Sequence, residues 1–270
     1  MSIRYKYNSL EDFLIANPLN ADGSLNDGWN AYFSVKGREI EATILFADIT
    51  AFSKRTADLS PVETLIFVNN FFSWITAEAL QERPGIVDKY IGDMIMVVFS
   101  KEFGSKDHFI DALQTARWMA EHDVLSFMPH MGIASGDVIV GYVGTPLKYN
   151  ASVFGLPVAI AARCANIKPQ GTHSASIILP AGLWKDEYSL NDILPPPMYQ
   201  GPTGERSEMT QVWEILPKRI EKIKNLPDIE IIEIANQVMH HSSITAAEMA
   251  KMNLQILKDL GLYRKYENQC

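Results

Sequence analysis

Two cysteines among 270 residues, Cys164 and Cys270, are too few for a disulfide framework or a zinc cluster, and they read as reduced thiols. No stretch approaches the ~18 consecutive apolar residues of a membrane span. The opening MSIRYKYNSL lacks the apolar core of a signal peptide. These absences point to a cytoplasmic chain with no membrane partner. Basic residues are also scarce: 24 Lys and Arg stand against 32 Asp and Glu, a formal net charge of −8. Nucleic acids and anionic membranes need clustered positive charge, so neither is the expected partner. A single small anion such as a nucleotide is not excluded, because it needs only local positive charge or a metal. What is present suits a folded domain: 47% apolar and 21% charged residues, in a length that fits one large domain with an extension.

Residues 1–38 are polar and glycine-punctuated (NADGSLNDGWN) and read as an irregular arm anchored by Trp29, Tyr32 and Phe33. Regular patterning is expected from Ile40. ATILFAD is a short apolar run ending at Asp48, the pattern of a buried strand. SPVE at 60–63 is a helix start: Ser60 caps, Pro61 suits the first helical position, and Glu63 completes a capping box. Leu65, Val68, Phe72, Ile75 and Ala79 follow at helical spacing as its buried face, and Arg83-Pro84-Gly85 ends it. GIVDKYIGDMIMVVFS predicts two strands bent at Ile91-Gly92-Asp93. Phe109, Ala112, Leu113, Ala116, Met119 and Ala120 mark a second helix. HMGIASGDVIVGYVG predicts another hairpin, turned at Ser135-Gly136-Asp137, and an alanine-rich third helix runs from Leu156 through PVAIAARCANI. Strands follow at 174–180 and 210–216, and from Pro217 onward the pattern is helical and charged.

The order strand, helix, strand, strand, helix, strand is a split β-α-β arrangement. It predicts an α+β fold with a ferredoxin-like βαββαβ core, a largely antiparallel sheet with helices on one face. The expected organisation is an arm over 1–38, a globular domain over 39–217 and a helical C-terminal extension over 218–270.

In such a core the first strand lies beside the hairpin, which brings Asp48, at a strand end, close to Asp93, at the hairpin bend. Strand-end aspartates are often mere solubilisers. Two adjacent carboxylates repel, however, unless a cation sits between them, and a hard divalent ion with oxygen ligands fits best. The metal reading is therefore favoured over the bland one. Just beyond Asp48 the turn ITAFS offers the backbone N–H groups of Thr50, Ala51 and Phe52 to a triphosphate tail.

FADITAFSKRT, DKYIGDMIMVVF and HMGIASGDVIVGYVG…FGLPVAIAARC resemble, in order and spacing, the three signature stretches of class III nucleotide cyclases. The resemblance covers roughly residues 39–217. It implies cyclisation of a nucleoside triphosphate to a 3′,5′-cyclic monophosphate and pyrophosphate, by two Mn²⁺ or Mg²⁺ ions, in a head-to-tail homodimer with shared active sites. Asp48 and Asp93 fall on the family's metal-binding aspartates and the carbonyl of Ile49 on a backbone metal ligand. Arg163 falls on the arginine that neutralises charge at the α-phosphate. Lys89 matches the base-contacting lysine, and Ser152 stands where adenylate cyclases usually carry Asp or Thr.

Two positions depart from the family. Ala159 replaces the asparagine that orients the ribose, four residues before Arg163, and Asn166 is the nearest substitute donor on that helix. Ser152 both donates and accepts hydrogen bonds, so with Lys89 it serves adenine or uracil alike. The build also resembles the stand-alone bacterial pyrimidine cyclases of the Pycsar anti-phage system, which gives UTP, then CTP, as the expected substrate. An adenylate cyclase and a degenerate nucleotide-binding regulatory module are the alternatives.

Overall fold

The computed structural model of the chain describes residues 6–26, 32–80, 83–123, 125–145, 148–170, 175–200, 206–208, 211–222, 227–237 and 244–263. In chain order these form α1 (Leu10–Ala16), β1 (Ala21–Asn26), β2 (Tyr32–Asp48), the single turn α2 (Phe52–Arg55), α3 (Pro61–Trp74), β3 (Gly85–Ile91), β4 (Met94–Phe99) and α4 (His108–Glu121). Then come β5 (His130–Thr145), β6 (Lys148–Phe154), α5 (Leu156–Ala165), β7 (Ala175–Pro180), α6 (Leu190–Ile193), β8 (Met198–Gln200) and β9 (Arg206–Glu208). β10 (Trp213–Ile215), β11 (Arg219–Glu221), β12 (Ile229–Asn236) and α7 (Ala246–Asp259) complete the described elements.

The main sheet has the order β10-β12-β7-β5-β2-β4-β3, with β1, β6 and β11 paired at its margins. Within it, β2-α3-β3-β4-α4-β5 is the expected βαββαβ unit, and its four strands are antiparallel neighbours. α3 and α4 cover one face, packing Phe67, Phe71, Phe109, Leu113 and Met119 against Leu45, Val97 and Ile133. α1 and α5 cover the other, against Ile44, Phe46, Met96 and Val98. Helices therefore flank both faces rather than one, because a strand buried on both sides needs an apolar partner on each.

Several local expectations hold. The capping box is formed, with the Ser60 amide donating to Glu63 Oε2 at 2.8 Å and the Glu63 amide to Ser60 Oγ at 3.3 Å. β3 and β4 meet at a turn in which Gly92 has φ +65°. All six residues chosen for the face of α4 are buried. α5 lies so close to β5 that a Cβ on Gly132 would collide with the Ala161 carbonyl and the Ala165 amide. The Cys164 thiol is buried and pushed up to about 12, which keeps it protonated and inert; Cys270 lies outside the described residues.

Others are corrected. The stretch 1–38 is not an irregular arm: Ser9 caps α1, which buries Leu10, Phe13 and Leu14, and β2 already begins at Tyr32. Trp29 and the side chains of Tyr32 and Phe33 fall outside the described residues. Of the expected face, Ile75 and Ala79 are buried and Val68 and Phe72 partly so, but Leu65 is 62% exposed, and α3 buries Phe67, Phe71 and Trp74 as well. Three large aromatics outweigh one leucine when the helix sets its rotation. No hairpin turns at 135–137. β5 runs straight through, with Gly136 opposite Ala42 at φ 151° and close against Pro157, and the hairpin forms between β5 and β6 instead.

The boundary at 217 also fails. β12 sits between β7 and β10 inside the sheet, so residues beyond 217 belong to the same core. Its Glu233 is fully buried and accepts from Arg219 Nη1 at 2.8 Å and the Gln170 amide at 3.0 Å. Only α7 answers to the expected C-terminal helix; it is capped by Thr245 and Glu248.

Candidate active site

Asp48 ends β2 directly opposite Met94, the residue after Asp93. The sheet register thus delivers the expected pair: the Asp48 and Asp93 carboxyls touch. Asp48 is pushed up to about 7, first by burial, then by the hydrogen bond and charge of Asp93, with the Ile49 amide acting in the opposite sense. The Ile49 side chain is buried in the core and anchors the peptide next to Asp48. Among the described residues no group of three or more His, Cys, Asp or Glu side chains could hold a metal. An ion here would have two carboxylates and backbone oxygen, and would need further oxygens from water or phosphate, the donor set that suits Mg²⁺ or Mn²⁺.

The turn after Asp48 is held by a clamp that the sequence reading missed. Ala51 (φ 53°), Ser126 (φ 58°) and Met128 (φ 52°) are the non-glycine residues with positive φ among those described. All three lie in two loops joined by one arginine. Arg55 Nη1 donates to the Phe127 carbonyl at 2.8 Å, and Nη2 to the Ser126 carbonyl. Thr50 Oγ1 donates to the Met128 carbonyl. Phe52 stacks on Phe67 at 6.1 Å, and the Arg55 guanidinium lies 5.4 Å over the same ring. Burial lowers the Arg55 pKa, and the charge of Asp123 opposes the shift. Thr50, Ala51 and Phe52 are thus presented by a strained turn fixed from behind. Ala51→Gly should relieve about 1 kcal/mol of left-handed strain, net of the entropy glycine adds to the unfolded chain. Thermal denaturation is expected to show melting raised by about 1–3 °C; a lower melting temperature would show that the turn does not strain Ala51.

Arg163 lies elsewhere. Ala161 and Ala165 of α5 face Gly132 in the sheet, so Arg163, two residues from each, projects from the opposite side of the helix. It is exposed, and among the described residues it forms no ion pair or hydrogen bond. Ala159 shares this exposed side. Asn166 caps the helix and spends its Nδ2 on the Ala162 carbonyl at 2.7 Å. The structure therefore does not bring Arg163 to the Asp48–Asp93 pair of its own chain.

Lys89 and Ser152 do come together, although β3 and β6 are at opposite margins of the sheet. β6 curls back over the face that holds Met96 and Val98, burying Ala151 and Val153 there. Lys89 Nζ donates to Ser152 Oγ and lies 5.9 Å over the Phe154 ring. A third residue, absent from the sequence reading, completes the group. Asp88 Oδ2 accepts from Ser152 Oγ at 3.1 Å and is 3.1 Å from Lys89 Nζ. Neighbours on a strand normally point to opposite faces; a bulge between Val87 and Lys89 lets both 88 and 89 reach one serine. Burial raises the Asp88 carboxyl, opposed by Lys89, Ser152 and the Val153 backbone.

The profile of the adenylate and guanylate cyclase catalytic domain matches residues 35–172. An uncharacterized protein of Mycobacterium tuberculosis is 31% identical over 135 residues, 48% of this chain and 24% of the relative. An adenylate cyclase of Anabaena cylindrica is 29% identical over 140 residues, 47% of this chain and 27% of the relative. The match thus spans about a quarter of each of these curated relatives. The adenylyl cyclase CyaB of P. aeruginosa has the same fold, with a TM-score of 0.54 and 16% identity over 76% of this chain and 98% of that one.

Proposed function

We infer that this chain, which belongs to the adenylate and guanylate cyclase catalytic-domain family, converts a nucleoside triphosphate to a 3′,5′-cyclic nucleotide and pyrophosphate. The ribose 3′-oxygen would attack the α-phosphorus while the bond to the β-phosphate breaks. The observation that carries this is the contact of Asp48 with Asp93, two carboxyls forced together at a sheet end where only a proton or a cation relieves them. Asp48, Asp93 and the Ile49 carbonyl would hold two Mn²⁺ or Mg²⁺ ions, which supply acidity to the 3′-hydroxyl and charge for the β- and γ-phosphates. The turn of Thr50, Ala51 and Phe52 borders the phosphates. Arg163 stabilises negative charge that grows on the α-phosphate. Its position on the outer side of α5 supports a homodimer in which the arginine of one chain serves the aspartates of the other.

Lys89 and Ser152 read the base. Together they suit adenine or uracil alike, and we place UTP first, then CTP, because the build resembles the stand-alone pyrimidine cyclases. The second reading is an adenylate cyclase, favoured by the similarity to the Anabaena protein. A pyrimidine product would fit a second messenger in anti-phage defence.

The test is purified protein with Mn²⁺ and ATP, GTP, CTP or UTP in turn, followed by chromatography of the products. Cyclic UMP is the expected main product; cyclic AMP would establish the second reading. No cyclic product from any of the four would overturn the enzymatic proposal and leave a nucleotide-binding regulatory module.

A further inference from the structure

We propose that the chain has a second ligand site, for a small carboxylate with an apolar body, in a cavity beside the start of α4. The cavity measures about 220 Å³, which suits a molecule smaller than a nucleotide. Beneath it lies Thr43 of β2, five residues before Asp48. That is about 17 Å along a strand, so the cavity is separate from the Asp48–Asp93 pair. The face of β2 and β5 that packs against α4 is otherwise apolar, with Leu45, Ala47 and Ile133. Here it carries a buried polar chain instead. Thr43 is fully buried, and its Oγ1 lies 2.7 Å from His108 Nδ1 and 2.6 Å from Ser135 Oγ. The His108 side chain is only 8% exposed. Its Nδ1 is held by Thr43, but its Nε2 forms no hydrogen bond among the described residues; Glu41 Oε2, at 3.9 Å, is too far for one. His108 and Ser135 both line the cavity. A buried ring with one open nitrogen, set into a hollow, has a polar group to offer a ligand.

The charges around the cavity favour an anion. Asp107 caps α4, accepting from the Phe109 and Ile110 amides. Lys101 and Lys185 border the cavity, are exposed and form no ion pair among the described residues. Two cations thus stand free against the single carboxylate of Glu41, in a chain of net charge −8. Phe109 stacks on Tyr188 at 6.0 Å and with Leu183 makes an apolar wall. A carboxylate on the polar floor with a ring or short chain on that wall matches the lining; a bare phosphate would leave the wall without a partner.

The buried chain also gives such an anion a definite reception. A protonated His108 donates from Nδ1 to Thr43, and Thr43 donates to Ser135. His108 Nε2–H and the Ser135 O–H are then both left to donate into the cavity. In the empty site burial lowers the His108 pKa, against the charges of Glu41, Asp107 and Asp111 and with that of Lys101, so the ring is neutral near pH 7. Lys185 and Tyr188 complete the titratable groups around the cavity. A bound carboxylate favours the charged ring, so binding takes up a proton and weakens as pH rises.

The experiment titrates benzoate, and benzamide as its neutral copy, into the full chain by calorimetry, without nucleotide or metal. Titrations run from pH 6 to pH 8 and in two buffers of different ionisation enthalpy. One benzoate per chain is expected, bound at least about tenfold more tightly than benzamide, with net proton uptake and an affinity that falls toward pH 8. Ser135→Ala should weaken benzoate about tenfold, as the loss of a hydrogen bond to a charged group. The double variant Lys101→Ala/Lys185→Ala should weaken it about two- to fivefold, as expected of exposed charges. His108→Gln should abolish the proton uptake, and the His108 ring signals in NMR spectra, identified by their loss in that variant, should move on binding. If His108→Gln does not fold, the Ser135 and lysine variants decide, since neither removes a core side chain. No benzoate binding, equal binding of benzamide, binding without proton uptake, or binding that neither Ser135→Ala nor the lysine variant weakens would overturn the proposal. Binding lost in Lys89→Ala would also overturn it, by placing benzoate in the nucleotide site. Each of these outcomes leaves the cyclase reading intact.

Discussion

Asp48→Ala and Asp93→Ala are each expected to lower cyclisation by at least about a thousandfold, since the ions they hold supply several kcal/mol and each 1.36 kcal/mol is a factor of ten. The same substitutions should make the metal-free protein more stable at pH 8. The Asp48 carboxyl lies at about 7 in the folded chain, against 3.8 for a free aspartate, because it is buried and beside Asp93. Between those two values the folded chain holds a proton that the unfolded chain has released. Stability contributed by that proton is full below about pH 4, declines as pH rises, and is gone above about pH 7. Melting of the metal-free wild type should therefore fall from pH 5 to pH 8, and Asp48→Asn should flatten the profile. Mn²⁺ reverses the fall in the wild type by binding the folded state alone, about 2.7 kcal/mol at a hundred times its Kd. Melting that rises over pH 5 to 8 without metal, or a wild type indifferent to Mn²⁺, would show that the two carboxyls do not form an ion site. Substantial turnover in either alanine variant would do the same.

The Asp48–Asp93 contact was legible because it depends only on strand order. A βαββαβ chain puts its first strand next to the hairpin, and the short apolar run 42–47 followed by Asp48 marks where that strand stops. The capping box at Ser60 and the turn at Gly92 were equally legible, each resting on a few residues with one conformational use. The misses share a cause: a residue type whose ordinary meaning was overridden by a distant partner. The charged pattern after Pro217 reads as helical, and the contacts of Glu233 with Arg219 and the Gln170 amide show how a carboxylate can lie inside the sheet. Ser-Gly-Asp at 135–137 has turn chemistry, yet Gly136 is used to stay paired with Ala42 while Pro157 crowds it. Asp88 sits next to Lys89 in a strand, where alternation assigns them opposite faces, and a one-residue bulge cannot be read from DKY. Arg55 looks like a surface base until loop 125–128 folds against it. Ser152 was found through resemblance alone; β6 itself went unseen.

Arg163→Ala and Asp93→Ala are each expected to be nearly inactive alone and to regain activity when mixed. Loss of a donor that stabilises transition-state charge costs about 10²–10³ in kcat. α5, about 10–12 Å across with its side chains, stands between Arg163 and the sheet that carries Asp93 in the same chain. The arginine therefore needs a second copy to meet a pair of aspartates. In a two-fold dimer of the two variants, one site carries both lesions and the other carries neither. Equal mixing with free exchange makes about half the dimers mixed, so about a quarter of the wild-type sites return. That recovery should require time for subunit exchange and should vanish when each variant is cross-linked to itself before mixing. A site built within one chain predicts instead only the sum of the two residual activities, however long the exchange. That sum, measured in a preparation shown to contain mixed dimers, would refute the shared site.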